Sequence, residues 1–369
     1  MKRRQFVSVS LAAAGIAALA GCSTDDGIGG GNGGEDGESF PSYDIPAYSD
    51  WVPQDSRNED NSGVFFTHLD WAALDETDDA PEDEDERTDD EETEELVEQV
   101  PILGLPFYGA LISPFAIFGI LFYPFSGDVL PEEGQTAEGI ETETMTWVED
   151  VLVFNGTYDP DVFAEQYADD FEEAETRDGF TVYVGTSGFA EDMAYAVSED
   201  TLVVGMMPGE DDEYETEAIV GEALDRNLEE VDRAVDSDDG QWLFETTGDS
   251  KMGFGVLGTD DFSEALDTDD EVESDEHDEE PETDPEVDDN PVFDTVESLV
   301  NTLDFSVEDD EMGAMDVRFS GVYPDEESAP SEDEVREHLI GEEDVDHDIV
   351  IDGVRVHASA TFEETPTDE

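Results

Sequence analysis

Acidic side chains occur along almost the whole chain, and this one-sided charge limits what the chain can fold into. The sequence holds 107 Asp and Glu residues against 12 Lys and Arg residues, a formal net charge of -95 at pH 7. A folded surface of such charge is destabilised by self-repulsion in dilute salt. In roughly molar salt the Debye length shrinks to about 3 Å, and repulsion between surface charges is largely screened. The composition therefore predicts a protein that folds in brine.

Acidic residues are most concentrated in two blocks of the sequence. Asp and Glu make up 15 of the 21 residues in 75–95 and 15 of the 25 residues in 267–291. Such blocks repel themselves and cannot bury enough apolar surface to offset chain entropy. We therefore expect long acidic disordered loops there, with residues 267–291 acting as a linker.

The first 22 residues have the organisation of an export signal. Lys2, Arg3 and Arg4 precede an uncharged run over residues 6–21, which ends in Leu-Ala-Gly before Cys22. A basic region, a short apolar region and small residues before a cleavage point are typical of a signal peptide. The apolar run is too short to cross a bilayer core of about 30 Å comfortably.

Two motifs in this region resemble those of a known class of exported protein. Arg3 and Arg4, followed by Gln and Phe, resemble the twin-arginine translocation signal, and Leu-Ala-Gly-Cys resembles a lipobox. Together with the scarcity of lysine, they resemble the Tat-exported lipoproteins of haloarchaea. The resemblance implies removal of residues 1–21, lipidation of Cys22 and anchoring to the outer face of the cell membrane. Cys22 is the only cysteine in the sequence, so the sequence offers no second thiol for a disulfide.

The rest of the chain divides by composition. Residues 22–45 are rich in Gly and Asp, which is typical of a flexible tether. Residues 46–266 mix strand and helix patterns, and residues 292–369 show two strand pairs around a short helix. We predict an α+β fold with antiparallel or mixed sheets and packed helices, plus a C-terminal ββαββ unit. That unit is either a second small domain or an extension of the first sheet.

Local patterns predict several helices and strands. Asp159 and Pro160 begin a short helix, and apolar residues at helical spacing predict an amphipathic helix over residues 216–237. Residues 241–247 and 251–258 are predicted strands. In the C-terminal part, alternation with period two places one set of side chains on buried faces: Leu299, Leu303, Phe305, Val307, Met315, Val317 and Phe319.

Turn and cap residues predict three further features. One hairpin turns at Glu199-Asp200, and a second turns around Asp352-Gly353 as a type I′ turn. Ser331 and the glutamate three residues later form the pattern of a capping box for a short helix that runs to residue 340.

Residues 100–126 form a long uncharged run. As a continuous helix this run would be about 40 Å long, enough to cross a bilayer. Four prolines interrupt it, and no Lys or Arg lies between Arg87 and Arg177 to mark a cytoplasmic flank. Three interpretations stay open: burial in the core, a transmembrane span, and shallow membrane insertion or docking to a partner. The prolines and the missing basic flanks favour the core.

Recognisable catalytic and cofactor motifs are absent from the sequence. It contains no nucleophile elbow, zinc-protease helix, phosphate-binding loop, dinucleotide glycine fingerprint or EF-hand loop. We therefore expect no cofactor. The weak metal candidates are Asp346, His347 and Asp348, for which an exposed loop is the alternative. Asn155 begins an Asn-Gly-Thr sequon that an exported protein could carry glycosylated, although Asn-Gly is also turn chemistry.

Charge and attachment limit the partners. Nucleic acid is excluded as a partner because its binding depends on Lys and Arg contacts to phosphate. Inorganic cations are expected to gather diffusely around the acidic blocks. The membrane is reached through the lipid on Cys22 and, if residues 100–126 insert, through that segment as well. The sequence specifies no protein partner.

The sequence favours a non-catalytic binding or envelope-structural module on the surface of a halophilic cell. One alternative is an exported hydrolase with paired carboxylates, which needs a cleft that holds two carboxyl groups of perturbed pKa. Another is the solute-binding component of a transporter, which needs a cleft between two α/β lobes.

Circular dichroism across a KCl series tests the halophilic interpretation. We expect the folded spectrum to be lost as salt is lowered from molar to millimolar concentration, because the unscreened acidic surface then repels itself. A complete native spectrum in salt-free buffer would contradict this prediction.

Overall fold

The structure is a computed structural model. It describes residues 39–56, 63–73, 102–104, 106, 139–186, 190–191, 193–205, 216–228, 231–259, 262, 290–308, 311–341 and 345–362. The predicted signal peptide with Arg3 and Arg4, the lipidation site Cys22 and the acidic loop 75–95 lie outside these residues. Most residues of the predicted tether, of the apolar segment and of the acidic linker also lie outside the described residues.

The described strands form one large antiparallel sheet. Its twelve strands are β1 (Val64–Asp70), β2 (Ile140–Val148), β3 (Val151–Tyr158), β4 (Phe171–Arg177), β5 (Phe180–Gly185), β6 (Ala194–Val197), β7 (Thr201–Gly205), β8 (Met252–Leu257), β9 (Ser298–Glu308), β10 (Glu311–Val322), β11 (Asp346–Asp352) and β12 (Arg355–Phe362). Their order across the sheet is β11-β12-β10-β9-β8-β1-β2-β3-β7-β6-β5-β4. The predicted combination of helices with antiparallel sheet is confirmed.

Strand β8 joins the parts of the sheet that precede and follow residues 267–291. It pairs with β1 on one side and with β9 on the other. Strands β9 to β12 therefore continue the sheet that begins with β1.

Four α-helices are described: α1 (Pro160–Gln166), α2 (Thr216–Asn227), α3 (Asp238–Thr247) and α4 (Glu332–Val335), the last continuing as a π-helical turn over Arg336–Ile340. Two 3-10 turns span Ala47–Trp51 and Ala234–Asp236. The predicted start of α1 is confirmed, because the side chain of Asp159 accepts hydrogen bonds from the first turn. The capping box at Ser331 is confirmed as well.

Two predictions around α2 and α3 are wrong. The predicted helix over 216–237 ends at Asn227, and Val231 is exposed. Residues 241–247, predicted as a strand, belong to α3. The physical reason is the cap: the Ser237 hydroxyl accepts from the backbone N–H of Gly240, and two aspartates lie at the positive end of the helix dipole.

The two predicted hairpins are present, but one has a different turn. The turn at Glu199-Asp200 joins β6 to β7 as predicted. The second turn joins Asp352 to Arg355, one residue later than predicted. Within it only Gly353 has positive φ, 63°. This is the glycine-first pattern of a type II′ turn, since type I′ needs positive φ at both central residues.

Both faces of the sheet are covered. Directly paired residues share a face, and Val148 pairs with both Phe66 and Val151. The apolar clusters under α3 and α2 therefore lie on one face, which we call the helix face. The opposite face packs on α1, α4 and the segment before β9. Of the side chains predicted to be buried by alternation, Leu299, Leu303, Phe305, Val317 and Phe319 are buried and Met315 is half-buried, whereas the Val307 side chain lies outside the described set.

The two edges of the sheet carry acidic side chains. Strand β4 forms one edge, and its Glu172, Glu173 and Glu175 are exposed. Its register with β5 shifts between Glu173 and Glu175, which marks an irregularity or bulge. Strand β11 forms the other edge.

The apolar segment is described at four positions. Ile102 and Leu103 are buried and join the core of the opposite face. Pro106 is also buried. Within the described part of the chain, no helix is both long enough and apolar enough to cross a bilayer.

Two glycine substitutions test the sheet packing. A Cβ atom at Gly156 would lie 2.0 Å from the Glu141 carbonyl oxygen, next to the register shift between β2 and β3. We expect Gly156→Ala to lower the free energy of unfolding by about 2 kcal/mol or more, because backbone must move. The measurement is urea unfolding at constant molar KCl.

Gly221→Ala is the matched control. Gly221 lies within α2, and its added Cβ would have no neighbour within 4 Å. This variant should gain about 0.5–1 kcal/mol, since Gly is the poorer helix former. Equal effects of the two substitutions would contradict the described packing.

Candidate functional site

A row of polar or small residues crosses the helix face. Direct pairings across six adjacent strands join, in order, Ser359, Arg318, Thr302, Gly253, His68 and Thr146. We call these residues the polar row. Its Thr146 end is buried, whereas Arg318 and Ser359 are half-buried. The row therefore leads from the interior towards solvent.

His68 is a buried, neutral member of the row. Its Nδ1 lies 2.9 Å from Thr146 Oγ1, and its ring stacks on the ring of Tyr48 at a centroid distance of 4.2 Å. Burial lowers the pKa of His68 to about 3, because the charged imidazolium loses its hydration. His68 thus carries no charge at neutral pH.

Tyr48 covers the middle of the row. Its hydroxyl is buried and has no hydrogen-bond partner among the described residues. Burial raises the pKa of Tyr48, the nearby Asp249 raises it further, and the positive charge of Arg318 opposes both. Tyr48 is therefore a neutral phenol beside the cationic end of the row.

Arg318 supplies the charge of the row. Its Nη1 donates to the Thr247 carbonyl oxygen at 2.7 Å and to that of Asp249 at 3.5 Å. The guanidinium carbon lies 4.5 Å from the ring centroid of Tyr43. A cation is stabilised there, because the last carbonyl groups of α3 lack partners within the helix.

Arg318 differs from the other described cations in having no carboxylate partner. Within the described residues, every other Lys or Arg side chain forms an ion pair with Asp or Glu: Arg177, Arg226, Arg233, Lys251, Arg336 and Arg355. Arg318 instead contacts main-chain carbonyl oxygens and an aromatic ring. In so acidic a chain, a cation kept apart from carboxylates is unusual.

Arg318 opens into a shallow groove of about 270 Å³. The groove is lined by Tyr43, Asp316, Val317, Arg318, Ser359, Ala360 and Thr361. Thr361 Oγ1 donates to Asp316 Oδ1 at 2.6 Å, so part of the Asp316 carboxylate is already engaged. We call this depression the Arg318 groove.

A serine–histidine pair lies next to the row. Ser320 Oγ is 3.0 Å from His357 Nδ1 and 2.8 Å from Thr246 Oγ1. Burial, and then the charge of Arg318, lower the pKa of His357 to about 4. Ser320 and His357 are both almost fully buried, at 0% and 1% exposure. No substrate reaches a hydroxyl in that position, so the pair is structural.

Among the described residues, the carboxyl groups with shifted pKa values do not form an acid–base pair. Hydrogen bonds from Arg233, Ser328 and Ser331 lower the pKa values of Asp236, Asp325 and Glu334, respectively. A general acid of the glycosidase type needs a raised pKa instead. These three groups therefore lack the property that the hydrolase alternative requires.

Asn155 lies in the interior of the sheet, on β3. Its Nδ2 donates to Thr144 Oγ1 at 3.2 Å, and its Oδ1 accepts from Thr201 Oγ1 at 3.3 Å. Its side chain thus links β2 and β7 across β3. Glycosylation of Asn155 stays a prediction.

The three metal candidates lie on edge strand β11 rather than in a loop. Neighbouring residues of a strand point to opposite faces, so His347 points away from Asp346 and Asp348. His347 Nε2 accepts from Arg336 Nε at 3.2 Å, and its Nδ1 lies 2.9 Å from the Val345 carbonyl oxygen. Among the described residues, no group of three or more His, Cys, Asp or Glu side chains is placed to hold a metal ion.

Comparisons with known proteins give no match. The chain matches no protein-family model, no curated protein and no solved structure. Any functional conclusion must therefore come from the residues of this chain.

One sequence pattern predicts part of the groove. The alternation that buries Val317 and Phe319 places Asp316, Arg318 and Ser320 together on the other face of β10. The contribution of Tyr43 has no such signal, because it comes from a segment far away in the sequence.

The buried His68 predicts a stability that falls in mild acid. Its folded pKa lies below its usual value of 6.5, so the unfolded chain binds the proton first. The contribution is therefore complete above pH 6.5 and is lost progressively as the pH falls towards about 3. By pH 5 the loss is about 2 kcal/mol.

The measurement compares urea unfolding of the wild type and His68→Gln at several pH values in molar KCl. The variant should lose less stability than the wild type between pH 7 and pH 5. Gly221→Ala, which changes no titratable group, serves as the control and should keep the wild-type pH dependence. Identical profiles for wild type and His68→Gln would overturn the assignment.

Proposed function

We propose that the protein is a non-catalytic binding module on the outer face of a halophilic cell, anchored by a lipid on Cys22. Its ligand-binding surface is the Arg318 groove. The membrane is its attachment site, inorganic cations surround its acidic surface diffusely, and no cofactor takes part.

The observation that carries the proposal is the unpaired charge of Arg318. Its side chain is half-buried in an open groove, and it forms no ion pair with a carboxylate of the described chain. Without an Asp or Glu partner, Arg318 lacks the electrostatic attraction that an ion pair would supply. An anionic ligand would supply the missing negative partner, so the arrangement favours a binding function.

Two features favour binding over catalysis. The Ser320–His357 pair is closed to solvent, and its hydroxyl is shared with Thr246. The groove itself has one exposed carboxylate, Asp316, with a threonine hydroxyl bound to it. A hydrolase of the two-carboxylate type needs a second carboxyl group opposite the first.

The C-terminal ββαββ unit of residues 292–369 forms most of this surface in our proposal. Asp316 and Arg318 come from β10, and Ser359 and Thr361 come from β12. Tyr43 reaches the groove from the N-terminal side, where its backbone N–H donates to the Glu245 carbonyl oxygen at 2.7 Å. A body held close to the membrane by the part of residues 22–45 that precedes Tyr43 would present the groove at the cell surface.

Fractionation of a halophilic host that expresses the full chain tests the attachment. The wild type should be found in the membrane fraction and be released by detergent. Cys22→Ser should appear in the medium, because it cannot be lipidated. Replacing Arg3 and Arg4 by Lys should leave uncleaved precursor in the cytoplasm.

Ser23→Ala is the matched control, since it changes the neighbouring residue and keeps the thiol. A Cys22→Ser protein that stays in the membrane fraction would contradict lipid anchoring and would direct attention to residues 100–126. Wild-type protein found only in the cytoplasm would overturn the proposed surface function.

A further inference from the structure

We propose that the Arg318 groove binds a sugar acid, that is, a carboxylate carried by a ring rich in hydroxyl groups. This inference rests on the proposed binding function and specifies its ligand. The shared chemistry covers a free sugar acid and the same unit within an acidic polysaccharide.

The carboxylate is recognised by the free edge of the guanidinium. Both hydrogen bonds of Arg318 to the chain leave from Nη1, and they end on the Thr247 and Asp249 carbonyl oxygens. Its Nε and Nη2 have no partner within the described residues. These two N–H groups lie side by side on one edge of the planar group, and that fork matches the two oxygens of a carboxylate.

The position of Arg318 is fixed before a ligand arrives. The Thr247 carbonyl oxygen at the end of α3 and the Asp249 carbonyl oxygen beyond it accept from Nη1, and the Tyr43 ring centroid lies 4.5 Å from the guanidinium carbon. A side chain held in this way loses little further rotamer freedom on binding. The free edge is therefore presented to the groove at low entropic cost.

The acid that lines the groove beside Arg318 is engaged elsewhere. Asp316 lies two residues before Arg318 on β10, about 7 Å along the strand. Its Oδ1 accepts from Thr361 Oγ1 at 2.6 Å, and no hydrogen bond or ion pair joins it to Arg318. The groove thus holds a positive and a negative group that form no ion pair with each other.

The second half of the groove suits hydroxyl groups. Asp316 Oδ2 is available as an acceptor on an exposed side chain, and the half-buried Ser359 hydroxyl, directly opposite Arg318 on β12, is a donor and an acceptor. A ring that places its carboxylate on Arg318 can donate a neighbouring hydroxyl to Asp316. The 42% exposed Tyr43 adds an aromatic rim.

The size of the groove limits the ligand to a small polar unit. Its volume of about 270 Å³ lies below the range of roughly 300–1,000 Å³ that is typical of drug-sized ligand pockets. The groove is open at the side, so a longer chain can continue into solvent beyond the bound unit.

Molar salt leaves this kind of recognition intact. Screening over about 3 Å removes both long-range repulsion by the acidic surface and long-range attraction by Arg318. Contact hydrogen bonds at 2.7–2.9 Å persist. Chloride competes for the cation, but as a single point acceptor it does not match a two-donor fork.

Isothermal titration calorimetry of the full-length protein in molar KCl tests the inference with D-glucuronate and D-glucose. The two sugars differ by a carboxylate in place of a hydroxymethyl group. We expect glucuronate to bind at least about tenfold more tightly than glucose, since a charge-assisted fork is lost in glucose. Short oligogalacturonates form the second arm, and tighter binding per unit than free glucuronate identifies a polysaccharide source.

Variants assign the binding to the groove. Arg318→Met should weaken glucuronate binding about tenfold or more, and Arg318→Lys should recover only part of it because ammonium has no planar fork. Asp316→Asn and Ser359→Ala should each weaken binding several-fold. Arg336→Met removes the same charge from an exposed site outside the groove and should leave the affinity unchanged.

Three results would overturn the inference, and circular dichroism of each variant shows that it is folded. Equal affinities for glucuronate and glucose that both depend on Arg318 would exclude a carboxylate ligand while retaining a binding module. Glucuronate binding that survives Arg318→Met and Asp316→Asn would exclude the groove. Absence of binding to either sugar and to oligogalacturonate would remove the sugar-acid ligand, whereas the surface function is decided separately by the Cys22→Ser fractionation.

Discussion

The close packing of aromatic rings against strand β8 is the contact on which the rest of the structure depends. Its helix face has no side chain at Gly253 or Gly255, and its other face carries Met252, Phe254 and Val256. A Cβ atom at Gly255 would lie 2.2 Å from the Phe66 ring, and one at Gly253 would lie 3.2 Å from the Tyr48 hydroxyl. Glycine weakens an isolated strand, but here it allows both rings to lie directly over the sheet. The same strand connects β1 to β9, so this packing joins the two parts of the chain.

That arrangement also orders the polar row. Tyr48 stacks on His68 because the strand beneath the phenol leaves space, and the row continues from there to Thr302 and Arg318. Polar groups under a helix layer are costly unless they are paired or neutral. The buried part of the row is neutral, and the formal charge appears where the row becomes accessible to solvent.

The outer surface and the groove operate over different distances. Repulsion among more than a hundred carboxylates is long-ranged, and brine suppresses it. The contacts of Arg318 with carbonyl oxygens and with Tyr43 are short, and salt screens them far less. A protein of this composition can therefore recognise an anion by contact in a medium where electrostatic steering has almost vanished.

Local chemistry made part of the fold predictable. Asp159 and Ser331 are side-chain caps that act within three residues, and the Glu199-Asp200 turn is equally local. The boundary between α2 and α3 was missed because apolar spacing continues past Asn227, whereas the cap at Ser237 begins a new helix. The predicted type of the last hairpin turn was wrong, because Asp352 pairs with Arg355 and the turn lies one residue later than predicted.

The candidate site was much less predictable, because it depends on contacts between distant segments. Arg318 is one of several arginines that are scattered in sequence, and its lack of an acidic partner emerges only when β10 lies between β9 and β12. Tyr43 belongs to a segment with tether-like composition, yet its backbone N–H donates a hydrogen bond to the Glu245 carbonyl oxygen. Neither relation leaves a periodic pattern that sequence analysis can detect.

The glutamates on strand β4 have a consequence for association between molecules. Exposed charge on an edge strand normally discourages another sheet from pairing with it. In brine, this electrostatic barrier is largely switched off, and the exposed N–H and C=O groups of β4 become easier to approach. The shift in register between Glu173 and Glu175 is geometric and does not depend on salt. In the concentrated salt that the composition predicts, an irregular edge is thus a more dependable safeguard against aggregation than a charged one.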